Sequence, residues 1–119
     1  VDNDRQCYEE INRNRVRLGA YQITVHCEDA LDWLGRSNQH FDIVFLDPPY
    51  DSNLANRSIA RLHAHKLAPG TMVYVETERR LKLTYPKNWE ESSLFQEKVK
   101  QFEKRWMVKW QLREFKPYN

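Results

Sequence analysis

The sequence predicts an α/β protein in which helices flank a mostly parallel sheet. Helical and strand patterns alternate along the first two thirds of the chain, which is typical of this fold class. Residues 43–46 are continuously apolar, as expected of a central parallel strand that is buried on both faces. The length of 119 residues, with 40% hydrophobic and 30% charged residues, predicts one globular domain over residues 1–119.

The first elements are two helices and a strand. A helix is expected over residues 4–18, because Asp2 or Asp4 can cap it and its arginines follow its acids, as the helix dipole favours. Residues 22–27 are expected to form a short strand. Residues 29–34 then predict a short helix with one apolar side.

The middle of the chain contains the clearest strand, residues 41–46, which the Asp-Pro-Pro-Tyr segment at 47–50 ends abruptly. A helix is expected over residues 54–65. After a Pro-Gly turn, residues 71–75 predict another strand. Strand, helix and strand in this order indicate two neighbouring parallel strands.

The last third has a different pattern. Large apolar residues recur at every second position, 106, 108, 110 and 112, between Arg105, Met107, Lys109 and Gln111, and this period of two indicates a half-exposed strand. Residues 94–99 supply apolar side chains for an antiparallel partner, so a terminal β-hairpin is favoured. The alternative is a helix over residues 93–104, where Glu, Lys and Gln are frequent.

Charge is divided unevenly along the chain. Residues 1–50 carry 5 Lys/Arg and 9 Asp/Glu, a net −4, whereas residues 51–119 carry 14 and 8, a net +6. This division suits a protein that holds a cationic or hydroxyl-rich ligand with one half and a polyanion with the other. The alternative is that both halves are ordinary solvated surfaces.

Several classes of protein are not expected. No run approaches the roughly 20 apolar residues of a membrane helix, and no apolar segment begins the chain as in a signal peptide. Cys7 and Cys27 are the only cysteines and form no Cys-x-x-Cys motif. A disulfide framework and a metal site are therefore not expected, and the cytoplasm is the expected compartment.

The residues that indicate chemistry are Asp47, Pro48, Pro49 and Tyr50, at the carboxyl end of the strand, where ligands bind in open α/β sheets. The prolines lack N–H groups, and their carbonyls are expected to remain free acceptors. A carboxylate beside such a carbonyl can accept two hydrogen bonds from one –NH₂ group, while the aromatic ring stacks on the base that bears it. The alternative is a simple turn, but the position after a buried strand favours a binding site.

This segment and its flanks resemble the RsmD-type bacterial 16S rRNA guanine-N2 methyltransferases, although N6-adenine methyltransferases share the Asp-Pro-Pro-Tyr motif. The resemblance runs over nearly the whole chain and is weakest over residues 79–119. Its segments, in order, are Val1-Asp2-Asn3-Asp4-Arg5, a helix with Asn14 and Leu18, Glu28-Asp29-Ala30, FDIVFLDPPY at 41–50, VYVETE at 73–78, Pro86 and Asn88-Trp89.

The resemblance implies a Rossmann-like class I fold with a seven-stranded sheet whose last strand is antiparallel. Residues 22–27, 41–46 and 71–76 would be middle strands, and Val1 would end the second strand. The family's first strand and Gly-rich cofactor loop have no counterpart among the three glycines of this sequence. The chain is therefore expected to be the C-terminal part of a longer enzyme.

The resemblance also implies that S-adenosylmethionine is the cofactor and that Asp2, Asn3, Asp29, Ala30 and Asp47 bind it. Asp2 would accept hydrogen bonds from the ribose hydroxyls, and Asp29 would meet the adenine amino group. For both residues the alternative is a helix cap. Asn3 stands where the family usually has an apolar residue against the adenine.

The implied reaction transfers a methyl group to a guanine N2 of 16S rRNA, with Asp47 and the Pro48 carbonyl orienting the amine. Arg79, Arg80 and Lys82 would contact the RNA, because residues 79–116 carry 11 Lys/Arg against 5 Asp/Glu. A monomer without metal is expected, acting on naked 16S rRNA or on the assembled small subunit. The alternatives are an adenine-N6 methyltransferase and a non-catalytic RNA-binding domain.

Overall fold

A computed structural model describes residues 1–50, 52–64, 67, 70–106 and 110–117 of this chain. These residues form two compact units, Val1–Ser37 and Asn38–Asn119, and each is described by itself below. The single domain expected over residues 1–119 stays a prediction. In the described parts of the chain, no helix has the length and apolar character needed to cross a membrane.

The first unit contains helices α1 (Arg5–Arg17) and α2 (Ala30–Arg36). The Asp4 side chain caps α1 by accepting hydrogen bonds from the backbone amides of Gln6, at 2.8 Å, and Cys7, at 3.3 Å. These bonds satisfy amide groups that have no partner within the helix. Two of the first predicted elements are thus confirmed as helices, with bounds that differ by a few residues at their ends.

The strand predicted over residues 22–27 is wrong, because only a single parallel bridge forms there, between Asp2 and Cys27. The Asp2 amide donates to the His26 carbonyl and the Glu28 amide donates to the Asp2 carbonyl, both at 3.0 Å. A strand is stabilised by a ladder with a partner of similar length. Among the described residues, Asp2 alone pairs with this segment.

The second unit is built on a four-stranded mixed sheet with the spatial order β1-β2-β4-β3. Strands β1 and β2 are parallel, while β4 is antiparallel to both β2 and β3. The elements in chain order are β1 (Ile43–Leu46), α3 (Leu54–Ala64), β2 (Met72–Glu78), β3 (Trp89–Glu91), α4 (Ser93–Trp106) and β4 (Trp110–Pro117).

The core of this unit lies on one face of β2. Burial alternates along the strand, so that Val73 and Val75 are fully buried while Tyr74 and Glu76 are half-buried. Ile59 of α3 and Phe115 of β4 are likewise almost fully buried. The predicted strand–helix–strand order is confirmed, and the last residue of the predicted helix, His65, lies outside the described residues. The prediction that residues 43–46 form a central strand buried on both faces is wrong for the described sheet, because β1 lies at its edge and Ile43 and Phe45 are 53% and 74% exposed.

The predicted terminal β-hairpin is wrong in its first strand, because the residues expected to form that strand lie in a helix, which was the alternative. Residues 93–106 form α4, which the Ser92 hydroxyl caps by accepting the Phe95 amide at 3.2 Å. Phe95 and Val99 are one helical turn apart and face inward, which accommodates the apolar residues that also suited a strand. The antiparallel last strand is confirmed as β4, whereas residues 107–109 lie outside the described residues.

Candidate active site at the ends of two parallel strands

Asp47 follows the last residue of β1, at the end of the sheet towards which the parallel strand β2 also runs. The register pairs Leu46 of β1 with Val75 of β2, so Asp47 and Glu76 are the next residues along the two strands. Asp47 lies beyond β1, whereas Glu76 remains in β2 and pairs with Leu112 of β4. Asp47 is exposed and Glu76 is half-buried. Two carboxylates from strands far apart in sequence therefore meet where parallel sheets place their binding sites.

Glu76 responds to its surroundings and to the charge of Asp47. Burial raises the pKa of Glu76, and the negative charge of Asp47 raises it further. Glu78 lies two residues further along β2 and contributes a third acidic side chain to the same end of the strand. The edge is thus negatively charged and suits a ligand that donates hydrogen bonds or carries positive charge.

Tyr50 presents its ring at this acidic edge, with 46% of the residue exposed. Partial burial raises the pKa of the Tyr50 phenol, and the charges of Glu76, Asp47 and Glu78 raise it further. The phenol therefore stays neutral at physiological pH. An exposed neutral ring offers a face on which a planar base can stack.

The backbone of the Asp-Pro-Pro-Tyr segment presents one carbonyl rather than two. The Ser52 hydroxyl donates to the Pro49 carbonyl at 2.6 Å, so the expectation that both proline carbonyls stay free is wrong for Pro49. No described residue donates a hydrogen bond to the Pro48 carbonyl. The Pro48 carbonyl and the Asp47 carboxylate are therefore the neighbouring acceptors, and Ser52 holds the turn that carries them.

A narrow cleft joins this turn to the end of β2. It is lined by Pro48, Pro49, Tyr50, Ser52, Thr77, Glu78 and Leu81. The side-chain amide of Gln111, a residue of β4, donates through Nε2 to the Thr77 hydroxyl at 3.0 Å and to the Glu78 and Leu81 carbonyls at 3.1 and 2.7 Å. Gln111 thus fixes one wall of the cleft from the neighbouring strand.

Three cations follow β2 directly. Arg79, Arg80 and Lys82 are exposed on the loop that leaves this strand, next to the acidic edge. We call them the loop cations. Their position fits contacts with phosphates around a base held at the acidic edge, but their role as RNA-binding residues stays a prediction.

In the first unit, the bridge brings Asp2 beside Cys27, two residues before Asp29. The Asp2 carboxylate is half-buried, and its Oδ1 accepts the Asp4 amide at 2.8 Å. Asp4, not Asp2, caps α1, so the alternative role of Asp2 as the cap is wrong. The other carboxylate oxygen, Oδ2, accepts no hydrogen bond from a described residue and fits a ribose hydroxyl.

Asp29 does have the alternative role, because its carboxylate caps α2 by accepting the Asp32 amide at 3.0 Å. Its second oxygen remains available for an amino group. Asn3 and Ala30 are exposed beside these two acids. The donors and acceptors present fit the ribose and adenine end of S-adenosylmethionine, and the assignment of all four residues stays a prediction.

Glu76 and Gln111 were not identified from the sequence as site residues. The signal for Glu76 was the VYVETE segment, a strand that ends in acids and follows the β1 strand by one helix. Nothing local marks Gln111, because its partners lie about 30 residues earlier in the chain. In the part of the chain that the structure describes, no group of three His, Cys, Asp or Glu side chains could hold a metal ion.

Known proteins resemble this chain over most of its length. A family model described as "Conserved hypothetical protein 95" matches residues 1–104. The ribosomal RNA small subunit methyltransferase D of Haemophilus influenzae is 40% identical over 94 residues, which are 75% of this chain and 49% of that protein. The protein of the same name from Escherichia coli K12 is 33% identical over 101 residues, which are 83% of this chain and 50% of that protein.

Solved structures agree with the fold. A candidate methylase from Haemophilus influenzae superimposes with a TM-score of 0.75 at 29% identity, covering 98% of this chain and 70% of that one. A candidate methyltransferase from Escherichia coli also superimposes with a TM-score of 0.75, at 25% identity, and the match covers 97% of this chain and 60% of that one. The predicted class I methyltransferase fold is confirmed by these neighbours.

The chain spans about half the length of the curated relatives that it matches. The family model nevertheless covers residues 1–104, which include α1, the Asp-Pro-Pro-Tyr segment, β2 and most of α4. The chain therefore belongs to the family described as conserved hypothetical protein 95, the RsmD-type family whose curated members are named ribosomal RNA small subunit methyltransferase D.

Proposed function

We propose that this chain carries the amine-binding site of an enzyme that transfers a methyl group from S-adenosylmethionine to the N2 amine of a guanine in 16S rRNA. The observation that carries the proposal is the acceptor pair at the end of β1. Asp47 and Pro48 are consecutive residues, no described residue donates a hydrogen bond to the Asp47 carboxylate or to the Pro48 carbonyl, and the exposed Tyr50 ring follows them. The names of the curated relatives support a small-subunit rRNA as the substrate.

The chemical task is to make a weak nucleophile react. The lone pair of a guanine N2 is delocalised into the ring, so the neutral amine attacks poorly. Hydrogen bonds from its two N–H groups to Asp47 and the Pro48 carbonyl would localise that lone pair and fix its direction. Stacking on Tyr50 would hold the base while the amine is aligned, which lowers the entropic part of the barrier.

S-adenosylmethionine, when bound, supplies the methyl group. In the proposed transfer the N2–carbon bond would form as the donor's sulfur–carbon bond breaks, and positive charge would develop on the amine nitrogen. The negative charges of Asp47, Glu76 and Glu78 would stabilise this charge. The amine then loses one proton, which the exposed Asp47 carboxylate can accept and pass to water.

The first unit is proposed to hold the nucleoside end of the cofactor. The unpaired oxygen of the half-buried Asp2 would accept a ribose hydroxyl, and Asp29 would accept the adenine amino group. Asn3 and Ala30 would lie against the adenine. We infer that no metal takes part, because the transfer needs positioning and charge stabilisation rather than activation of water.

The RNA is proposed to contact the loop cations, which would bind phosphates next to the methylated guanine. Phosphate contacts of this kind supply affinity and orientation without reading sequence. The proposed compartment is the cytoplasm, where the substrate is made, and the proposed active form is a monomer. Both naked 16S rRNA and the assembled small subunit remain candidate substrates.

The test is methyl transfer by the whole protein that contains this chain. It is incubated with isotope-labelled S-adenosylmethionine and either naked 16S rRNA or small subunits that lack the modification, and the digested nucleosides are identified by mass spectrometry. Labelled N2-methylguanosine is the expected product. N6-methyladenosine would overturn the assigned base, and RNA binding without methyl transfer would overturn the proposed activity.

A further inference from the structure

We propose that a groove between α3 and residues 82–88 binds a nucleotide of single-stranded RNA that flanks the methylated guanine. This inference rests on the proposed function, because it names a second contact with the same RNA. The groove lies within the second unit and includes none of the four residues of the Asp-Pro-Pro-Tyr segment. Its volume is about 740 Å³, which is ample for one nucleotide.

The Asn56 side chain joins the two walls of the groove. Its Nδ2 donates to the Lys82 carbonyl at 3.1 Å, and its Oδ1 accepts the Thr84 amide at 2.8 Å. These two bonds tie α3 to residues 82–84, and the buried Ile59 is one of the lining residues. A groove formed without a ligand loses little conformational entropy on binding, which favours affinity.

One wall of the groove suits a nucleobase. The Tyr85 ring packs against Phe115, with 4.5 Å between ring centroids, and the Arg113 guanidinium lies 5.6 Å from its centre. These contacts fix the ring in place. Tyr85 and the adjacent Pro86 thus present a rigid apolar surface, and unpaired RNA bases are commonly held by stacking on such surfaces.

The polar groups of the groove suit the rest of a nucleotide. Arg57 and Lys87 contribute positive charge, while Asn53 and Asn88 contribute amides that can both donate to and accept from a base edge. None of the lining residues in the described part of the chain is acidic. The charge therefore favours an anionic partner, and the combination of cation, amide and ring favours RNA over a simple anion.

The groove also lies close to the proposed methylation site. Asn53 is three residues after Tyr50, so their Cα atoms are at most about 11 Å apart. Lys82, one of the loop cations, supplies the carbonyl that Asn56 holds at the groove's edge. A strand whose guanine stacks on Tyr50 would reach the groove with a neighbouring nucleotide.

The first test measures RNA affinity with a matched pair of variants in the whole protein. Arg57→Glu changes a groove residue, whereas Arg61→Glu makes the same change one turn further along α3, at an exposed position outside the lining. We expect Arg57→Glu to raise the Kd for a single-stranded RNA with the target guanine about tenfold, and to lower its salt slope by about one. Arg61→Glu should change the Kd less than about twofold. Arg57→Lys, which keeps the positive charge, should retain most of the wild-type affinity.

The second test locates the flanking nucleotide. An RNA that carries a photoreactive base next to the target guanine is crosslinked to the protein, and the attached peptide is identified by mass spectrometry. Attachment within residues 84–88 is expected. Attachment elsewhere, or an Arg57→Glu Kd equal to that of Arg61→Glu, would overturn the proposal, as would general binding of anions with no preference for RNA.

The two proposals fail differently. If the Arg57→Glu protein keeps normal RNA affinity while the wild type still forms N2-methylguanosine, only the groove assignment is lost. If the wild type binds RNA through the groove but transfers no methyl group, the proposed reaction is lost and the RNA contact remains. Melting curves on both glutamate variants exclude loss of folding as the cause of weaker binding.

Discussion

Replacing Asp47 by asparagine is the most direct test of the proposed chemistry. The change keeps the shape of the side chain but exchanges one carboxylate oxygen for an NH₂ group, which cannot accept a hydrogen bond from the guanine amine. No described residue forms a hydrogen bond with Asp47, which is exposed and lies beside the acidic Glu76. The substitution should therefore affect the reaction and not the fold.

The expected magnitude follows from that geometry. Loss of one preorganised charged acceptor in a reaction centre removes about 3 kcal/mol of transition-state stabilisation, or a rate reduction of at least about a hundredfold. The folded protein should lose no stability, because the substitution removes the like charge that helps to raise the pKa of Glu76. We expect an equal or slightly higher melting temperature.

The assay is single-turnover methyl transfer to guanine by the whole protein, together with cofactor affinity by calorimetry and a melting curve. Asp42→Asn is the matched control, since Asp42 is also exposed but lies before the opposite end of β1. Cofactor affinity should change far less than the rate in Asp47→Asn, because Asp2 and Asp29 are proposed to hold the nucleoside end, and it should be unchanged in Asp42→Asn. The control should keep the wild-type rate.

A folded Asp47→Asn protein with a near-normal rate would refute the proposed orientation of the amine. A lower melting temperature together with a normal rate per folded molecule would show that the Asp-Pro-Pro-Tyr segment is only a turn. Equal rate losses in Asp47→Asn and Asp42→Asn would point to a general effect of charge rather than to a contact with the amine.

Three other variants test neighbouring features. Tyr50→Ala should weaken RNA binding roughly tenfold by removing a stacking surface, whereas Tyr50→Phe should be almost silent, as measured by KM for the RNA. Reversing the charge of the three loop cations together should flatten the salt dependence of RNA binding, and an unchanged slope would remove that loop from the interface. Burial and then the charge of Asp47 raise the pKa of Glu76, so ionisation of Glu76 destabilises the folded state. The free energy of unfolding of the wild type therefore falls as the pH rises through the raised pKa. Glu76→Gln should therefore melt above the wild type at pH 7 and lose that advantage below about pH 4, which melting curves over this range will measure.

Local sequence was sufficient for the part of the site that lies within one short stretch of chain. The apolar run of β1 and the Asp-Pro-Pro-Tyr segment are consecutive, so their relation needs no knowledge of distant residues. Asp29 at the start of α2 and the acid-to-base order along α1 are likewise signals that act within a helical turn. These elements were predicted because the interactions that form them are local.

Elements that depend on a partner elsewhere in the chain were decided by tertiary structure. Residues 22–27 have strand-like composition but meet a partner only at Asp2, so no ladder forms. Residues 93–104 suit both a strand and a helix. The Ser92 cap and the bond from Gln96 to the Leu112 carbonyl, at 3.2 Å, stabilise the helix next to β4.

Dependence on partners elsewhere in the chain also explains why Glu76 and Gln111 were not identified as site residues from the sequence. Glu76 becomes a neighbour of Asp47 through the register between β1 and β2, and Gln111 reaches the cleft through the register between β2 and β4. A sequence pattern specifies which face of a strand is apolar, but the choice of partner and register depends on how separate segments pack. The acidic pair and the fixed cleft wall therefore exist only in the folded sheet.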